Sequence, residues 1–390
     1  RVDDLSVWSK LILLPATGLT AVLAGTEVRG TDREATVYSL LTFATVGALA
    51  LSGAGDLMFL VLGVLLTSLA SFALVAYPRT DAATEAAMKY FVFGAVSGSV
   101  MTFGLTYWFG ATGSTLISDL DRLASMRLAA VAGLVGVLVG LGFKAGLVPF
   151  HFWVPDAYDG GPLAVAAYLS VVPKVGAVFA LAEVARNLPP DIANWRTGVA
   201  GLAVASMVYG NLAALPQTNV VRLLAYSSIA QSGYLIFGIA ALGRSDLAVR
   251  SLVVFAAAYA AMNIGMFSVI AVVGRTLTEF TGVGRARPWL GAAAVIFLLS
   301  LVGIPPLAGF IGKFLLFGAA IDAQFTWLAV VGILNSVLSL AVYLRIIVPM
   351  YQPPQGSPVY GRLATAVLLA SVILTIGLGL AAQVLAERVT

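Results

Sequence analysis

Long apolar stretches alternate with short polar turns along the whole chain. Each stretch is about twenty residues long, which is the length a helix needs to cross the hydrocarbon core of a bilayer. The turns between them hold helix-ending residues, such as Gly30-Thr31-Asp32 and Leu188-Pro189-Pro190. The pattern predicts an all-α polytopic membrane protein of about twelve transmembrane helices, near 9–26, 36–53, 57–77, 89–110, 128–150, 162–185, 197–215, 221–243, 249–274, 289–320, 325–350 and 361–386.

Two of these apolar stretches contain interruptions. Residues 289–320 are too long for one straight span and hold Gly303-Ile304-Pro305-Pro306 near the middle, while residues 128–155 end with Gly140, Gly142, Gly146 and Pro149. Interruptions at corresponding places in two halves predict broken helices with a functional site near the midplane. Their spacing predicts five-helix repeats at 36–185 and 197–350, with a C-terminal helix at 361–386, all within one membrane domain, 1–390.

The composition agrees with membrane integration and excludes several functions. The chain is 60% hydrophobic and 10% charged, whereas a soluble domain is roughly a quarter charged. The net charge of +4 is spread thinly, so no nucleic-acid partner is predicted. The chain has no Cys and one His, which provides no common iron–sulfur, haem or zinc site. We therefore predict no cofactor in this chain, and electron transfer only in other chains.

Three lysines are each the only charge within about twenty residues of spanning hydrophobicity: Lys144, Lys174 and Lys313. A lysine at bilayer depth costs ~2.5–3.5 kcal/mol, so such residues usually face a cavity or a polar partner. Together they predict a proton pathway through the membrane. For Lys144 the alternative is that its side chain reaches the interface near His151. Lys174 is far from both ends of its span, and Lys313 follows the interruption at Gly303.

Polar side chains near these lysines could extend the pathway. Ordinary hydrogen bonds between helices, worth ~0.6 kcal/mol each, are the alternative explanation. For the His151 region, the alternative is an aromatic belt with Asp156 as a helix cap. The candidates for a polar axis are His151, Ser227, Ser228, Gln231, Tyr234 and Asn263.

Several strings together resemble the antiporter-like membrane subunits of NADH:quinone oxidoreductase (respiratory complex I), and subunit N among them. The resemblance covers nearly the whole chain, and the Ala-Tyr-Ser-Ser-Ile form at 225–229 favours subunit N over its larger relatives. The matching stretches are 89–113, 143–160, 222–234, 303–314 and 334–336.

The resemblance implies two inverted five-helix units, each forming half of a proton channel. Lys144, Lys174 and Lys313 match the family's lysines on the broken helices and on the helix between them. It further implies a multi-pass subunit of a proton-pumping translocase in a bacterial or archaeal cell membrane, without a redox centre of its own. Its partners would be the lipid bilayer and other complex I membrane subunits, while NADH, flavin, iron–sulfur clusters and quinone would bind in partner subunits.

Two positions depart from the family pattern. Leu65 stands where the family usually has a Glu that serves as counter-ion to the first lysine, and Asp56 is more than two turns away. Gln231 stands where His is frequent. Lys144 therefore lacks its expected partner, and three alternatives stay open: a subunit of a cation/proton antiporter, a subunit of a membrane hydrogenase complex, and a non-conducting scaffold subunit.

Overall fold

A computed structural model describes residues 3–190, 192, 194–353 and 362–389. Within these ranges the regular structure is helical. The helices are α1 Asp4–Val28, α2 Glu34–Ser52, α3 Leu57–Ala76, α4 Asp81–Thr112, α5 Arg127–Ala145, α6 Trp153–Gly160, α7 Leu163–Asn187, α8 Trp195–Ala214, α9 Val220–Ala240, α10 Leu247–Val273, α11 Val283–Ala286, α12 Pro288–Val302, α13 Ala308–Asp322, α14 Thr326–Met350 and α15 Arg362–Arg388, with a 3-10 helix Ile117–Ser125 before α5.

The predicted number of membrane crossings is confirmed. In the described part of the chain, 11 helices are long and apolar enough to span a membrane. The shorter apolar helix α12 continues into α13 after a break, and the pair makes one further crossing. The predicted start of the last span, residue 361, lies outside the described residues.

Helix α4 begins earlier than the span predicted at 89–110. The side chain of Thr80 accepts a hydrogen bond from the backbone N–H of Ala83, which caps the helix at this earlier point. The added turns hold Glu85, which forms an ion pair with Lys89 one turn later. Hydropathy finds only the part of a helix that lies in lipid, so it misses such polar extensions.

Hydrogen bonds between loops show that the helix ends form two faces. On one face, which we call the Glu27 face, Arg33 Nη1 donates to the carbonyl of Tyr77 at 3.0 Å. On the opposite face, the Asp56 face, Leu57 N donates to the carbonyl of Thr115 at 2.7 Å. Consecutive spans thus run in alternating directions. The pair α5–α6 runs towards the Glu27 face, and the pair α12–α13 runs towards the Asp56 face.

The helices α7, α9 and α10 form the centre of the bundle. Nearly all residues of their apolar segments are buried, although each contains polar side chains. Lys174 lies in the middle of α7, and Asn263 lies in α10. A polar group in such a position has neither water nor lipid headgroups within reach, so it needs partners from neighbouring helices.

Small residues let the helices α4 and α5, which lie outside this centre, approach each other closely. A Cβ atom added to Gly104 of α4 would lie 2.8 Å from the Cα atom of Gly136 of α5. Contacts of this kind allow two backbones to pack tightly in lipid, where there is little hydrophobic driving force between helices. This approach fixes α4, which holds Tyr90, against α5, which holds Lys144.

Candidate functional site

The two interrupted helices are broken in the same way. Helix α5 ends at Gly146 with φ +71°, and α12 ends at Gly303 with φ +94°. Both glycines have a left-handed backbone that L side chains rarely adopt. A cis X-Pro bond follows each one, at Val148-Pro149 and at Pro305-Pro306. The interruptions leave carbonyl groups at the ends of α5 and α12 available to polar side chains.

Lys313 lies at the second break and binds the end of α12. Its Nζ atom donates to the carbonyl oxygens of Leu301 at 2.9 Å and Val302 at 3.0 Å, and to Ser336 Oγ at 3.2 Å. It also lies 4.0 Å from the centre of the Tyr234 ring. A cation at a helix C-terminus is stabilised by the helix dipole, and the aromatic face adds to this. The break therefore provides the environment that a buried ammonium group needs.

Lys174 lies beside the first break, although it belongs to α7. Its Nζ atom donates to Ser228 Oγ at 2.9 Å and to Ser232 Oγ at 3.4 Å. Ser232 Oγ in turn donates to the carbonyl of Ala145, near the C-terminus of α5, at 2.7 Å. The Tyr158 ring covers the ammonium group at 5.8 Å. One hydroxyl group thus connects Lys174 to the end of α5.

Lys144 is fully buried and does not reach the membrane interface. Its Nζ atom donates to Ser68 Oγ at 3.1 Å and to Tyr90 Oη at 3.0 Å. The Tyr90 ring stacks on the Trp153 indole, with ring centres 4.2 Å apart. Trp153 Nε1 donates to the carbonyl of Phe143 at 2.8 Å, which also accepts from the backbone N–H of Gly146 at 3.0 Å.

All three lysines are bound by hydroxyl or carbonyl oxygen atoms, which carry no formal charge. We call Lys144, Lys174 and Lys313 the lysine row. Among the described residues, none of their Nζ atoms has a carboxylate oxygen within 4.0 Å. Buried ammonium groups with only hydroxyl and carbonyl partners are less strongly held in the charged form than ion-paired ones. The arrangement suits groups that gain and lose a proton.

Two members of the predicted polar axis contact the Lys313 end of the row. Gln231 Nε2 donates to the Leu301 carbonyl at 3.1 Å, so this oxygen accepts from both Gln231 and Lys313. Gln231 Nε2 is also 3.3 Å from Tyr343 Oη, which lies 2.5 Å from Ser227 Oγ. Gln231 Oε1 is buried and has no hydrogen-bond partner in the part of the chain that the structure describes. Tyr343 thus joins two polar side chains of α9 to the second break.

Tyr234 and Ser228 also contact lysines of the row. Tyr234 Oη donates to the Gly332 carbonyl at 2.7 Å and lies 2.9 Å from Ser336 Oγ, which also binds Lys313. Ser228 binds Lys174. Among the described residues, no side-chain hydrogen bond joins Lys174 and its serine partners to Gln231 and the groups it binds. Helix α9, which holds both Ser228 and Gln231, connects them.

The structure places His151 and Asn263 outside the hydrogen bonds of the row. His151 is buried against the Tyr209 ring at 4.5 Å, and its Nδ1 atom has no hydrogen-bond partner among the described residues. Asn263 Nδ2 donates to Ser170 Oγ at 2.6 Å, one turn before Lys174 in α7. Asn263 therefore joins α10 to α7, as expected for an ordinary hydrogen bond between helices.

Sequence reasoning missed two of the hydroxyl groups that bind the row and its neighbours. These are Tyr90, which binds Lys144, and Tyr343, which binds Gln231. Ser68 also binds Lys144, although the sequence showed it only as part of the departure at Leu65. Hydroxyl residues are common in apolar helices, and whether one of them binds a lysine depends on which helix face it occupies.

Comparison with known proteins agrees with the resemblance seen in the sequence. The family described as NADH:quinone oxidoreductase/Mrp antiporter, transmembrane, matches residues 54–339. NADH-quinone oxidoreductase subunit N of Mycobacterium sp. (strain JLS) is 43% identical over 376 residues, covering 93% of this chain and 80% of the relative. The chain belongs to the subunit N family of NADH-quinone oxidoreductases. The resemblance inferred from the sequence is confirmed, and this subunit N homologue is a multi-pass integral membrane protein.

Other relatives show how widely the subunit N fold is shared. A chain of respiratory complex I from Thermus thermophilus matches with a TM-score of 0.88 and 33% identity, covering 100% of this chain and 87% of that chain. F(420)H(2) dehydrogenase subunit N of Methanosarcina mazei is 38% identical over 380 residues, covering 91% of this chain and 76% of the relative. The same membrane fold thus occurs in enzymes named for different electron donors.

The position that departs from the subunit N pattern lies on the outer surface. Leu65 is 47% exposed and lines a groove of about 620 Å³ between α3 and α4, together with Gly94 and Gly98. Asp56 caps α3 by accepting from Met58 N at 2.7 Å. Neither position provides a carboxylate for Lys144, which Ser68 contacts from the inner side of α3.

Proposed function

We propose that this chain is a proton-translocating, antiporter-like membrane subunit of an NADH:quinone oxidoreductase complex. Lys144, Lys174 and Lys313 transfer the protons. The observation that carries the proposal is the setting of the lysine row, three buried ammonium groups bound by hydroxyl and carbonyl oxygens at two helix breaks. Such a setting is costly to build in a membrane and is typical of ion and proton pathways.

Redox chemistry takes place in partner subunits under this proposal. NADH, flavin, iron–sulfur clusters and quinone bind there, and this chain contributes proton transfer to the activity of the whole translocase. A change of charge or hydration next to the row alters which protonation state of each lysine is favoured, so protons move in response. The names of the Mycobacterium relative and of the Thermus complex support NADH:quinone oxidoreductase as the assembly.

The two breaks belong to two five-helix units in this proposal, at 36–185 and 197–350. Each unit has an odd number of crossings, so the second begins on the opposite face and is inverted relative to the first. The opposite directions of α5–α6 and α12–α13 support this division. Each unit then provides half of the pathway, and α7 and α9 bring the halves together around Lys174.

Removal of the lysines in the intact complex tests the proposal. We expect Lys174→Ala and Lys313→Met to lower the number of protons pumped per electron in reconstituted vesicles, while NADH oxidation and subunit content remain. Lys10→Ala, which removes a lysine of α1 outside the row, is the matched control. Unchanged pumping in both variants with normal assembly would contradict the proposal and favour a non-conducting scaffold.

A narrower version, in which Lys144 takes no part, is favoured by Leu65. Leu65 stands where the family usually has the counter-ion of this lysine, so Lys144 has two hydroxyl partners but lacks the carboxylate that the family pattern implies for it. Lys144→Ala separates the two versions, because pumping is unchanged if only Lys174 and Lys313 transfer protons. Co-purification with flavin and iron–sulfur subunits distinguishes the proposed complex from a cation/proton antiporter.

A further inference from the structure

The short helix α6 contacts the surroundings of two lysines at once. Trp153, at its start, stacks on the Tyr90 ring, whose hydroxyl accepts a hydrogen bond from Lys144. Tyr158, one turn further, covers Lys174 with its ring. A rotation or tilt of this one helix would therefore move the partners of Lys144 and Lys174 together.

Charged groups hold the outer part of α6. Lys89 Nζ donates to Asp156 Oδ2 at 3.0 Å, and Arg222 Nη1 donates to Asp156 Oδ1 at 3.1 Å. Arg222 Nη1 also lies 3.6 Å from Asp159 Oδ2. We call these four residues the clamp: Lys89, Asp156, Arg222 and Asp159. Since Lys89 belongs to α4 and Arg222 to α9, the clamp fixes α6 between two long helices.

The turn after α6 is fixed by further hydrogen bonds at the Glu27 face. Asn219 Nδ2 donates to Asp159 Oδ1 at 2.7 Å, and Arg275 Nη1 donates to the Asp159 carbonyl at 2.8 Å. Glu27 Oε1 accepts from Leu163 N, at the start of α7, at 2.9 Å. The start of α6 follows the break in the chain and is held by Trp153, and these contacts hold its other end.

The two breaks differ at the position that holds Asp156 in the first break. Counted from Gly146 and Gly303, Asp156 occupies the position that Lys313 occupies in the second break. Lys313 turns back onto the carbonyls of α12, whereas Asp156 binds cations of α4 and α9. The same position is thus used for proton transfer in one break and for a fixed anchor in the other.

We propose that the clamp sets the orientation of α6 and thereby positions the partners of Lys144 and Lys174 for proton transfer. Asp156 and Arg222 are positioning residues, since they touch neither lysine. Each ion pair is partly exposed and weak by itself, but Asp156 connects both cations. Loss of its charge breaks the pair with Lys89 and leaves Arg222 with only the longer contact to Asp159. Displacements well under 1 Å matter because the hydrogen bonds of the row tolerate little change in length.

The experiment uses the intact complex in vesicles and rests on the proposed function of the row. We expect Asp156→Asn to lower the protons pumped per electron by about twofold or more, because hydrogen-bond geometry in the row is loosened. Arg222→Gln should act in the same direction. Asp156→Glu keeps the charge and should restore most of the ratio. Asp119→Asn, in a carboxylate that pairs with Arg122 on the Asp56 face, is the matched control.

The possible outcomes separate the explanations. A purely structural role would lower the amount of assembled complex and leave the ratio per assembled complex unchanged in Asp156→Asn, which would overturn the inference. An equal loss in Asp119→Asn would overturn it too. If Lys174→Ala lowers the ratio while Asp156→Asn leaves it unchanged, the inference about the clamp fails and the proposed function of the lysine row stands. If neither variant changes the ratio, both the inference and the proposed function fail.

Discussion

Lys174 and Gly146 face each other across the first helix break, and the space between them has no room for a methyl group. A Cβ atom added to Gly146 would lie 3.0 Å from Lys174 Nζ and 2.9 Å from a methyl carbon of Val154. Gly146 also has a φ of +71°, which side chains disfavour. The glycine therefore serves the backbone of the break and the position of the neighbouring lysine at the same time.

Gly146→Ala should lower both stability and pumping. The left-handed backbone costs an alanine about 1–2 kcal/mol, and the new methyl group displaces Lys174 from Ser228. Gly113→Ala is a matched control, since Gly113 has a φ of +67° with no atom within 4 Å of an added Cβ. Thermal unfolding should shift in both variants, whereas protons pumped per electron should fall only in Gly146→Ala. Equal pumping in the two would contradict the role of this contact.

Tyr90→Phe should weaken proton transfer at Lys144 and leave the helix packing intact. The change removes a hydroxyl that binds Lys144 at 3.0 Å but keeps the ring that stacks on Trp153. Loss of a hydrogen bond to a charged group costs about 1.5–3 kcal/mol. Tyr168→Phe removes another buried hydroxyl, bonded to Thr45, and is the control. If pumping is the same in both variants, Lys144 lies off the pathway.

Gln231→Leu should lower pumping with little change in stability. The amide nitrogen binds the Leu301 carbonyl, but the buried Oε1 atom has no partner, so removal of the amide also removes a desolvation cost. The net change in unfolding free energy should stay within about 1 kcal/mol. Asn211→Leu removes a buried amide that binds Asn335 away from the row. Pumping should stay normal in this control and fall in Gln231→Leu.

Ser336→Ala should have a small effect on pumping, because Lys313 keeps both of its carbonyl partners. Loss of one hydrogen bond between membrane helices costs ~0.6 kcal/mol, or about threefold in a rate. Ser339→Ala removes a buried hydroxyl of the same helix that bonds only to the Ser336 carbonyl, and should have no effect. A loss as large as that of Lys313→Met would show that Ser336 itself transfers the proton.

The parts of the fold that follow from hydropathy could be predicted from the sequence. Apolar length determines a membrane crossing, and a lone lysine within such a length is costly, so Lys174 and Lys313 stood out. The Gly-Pro interruptions located both breaks, since few other residues end a helix inside a membrane. The strings shared with the family then predicted a common pathway for the lysines.

Apart from Ser228 and Tyr234, the partners of the buried lysines could not be predicted, because they depend on helix rotation. Ser68 and Leu65 lie one turn apart on α3, yet Ser68 binds Lys144 while Leu65 lines an outer groove. Successive side chains point about 100° apart around the helix axis. When nearly all residues are apolar, hydropathy alone does not show which helix face is buried. The carbonyls of Leu301 and Val302 have no sequence pattern at all, since every residue has one.

One hydroxyl pair beside the lysine row has a consequence for the direction of transport. A hydroxyl group can donate one hydrogen bond and accept others, so the pair Ser227–Tyr343 can be polarised in either sense. Under the proposed function, such a link carries a proton equally well in both directions. Net flow through this subunit is then governed by the driving force at its ends, and a sufficiently large opposing proton gradient would run the proposed path in reverse.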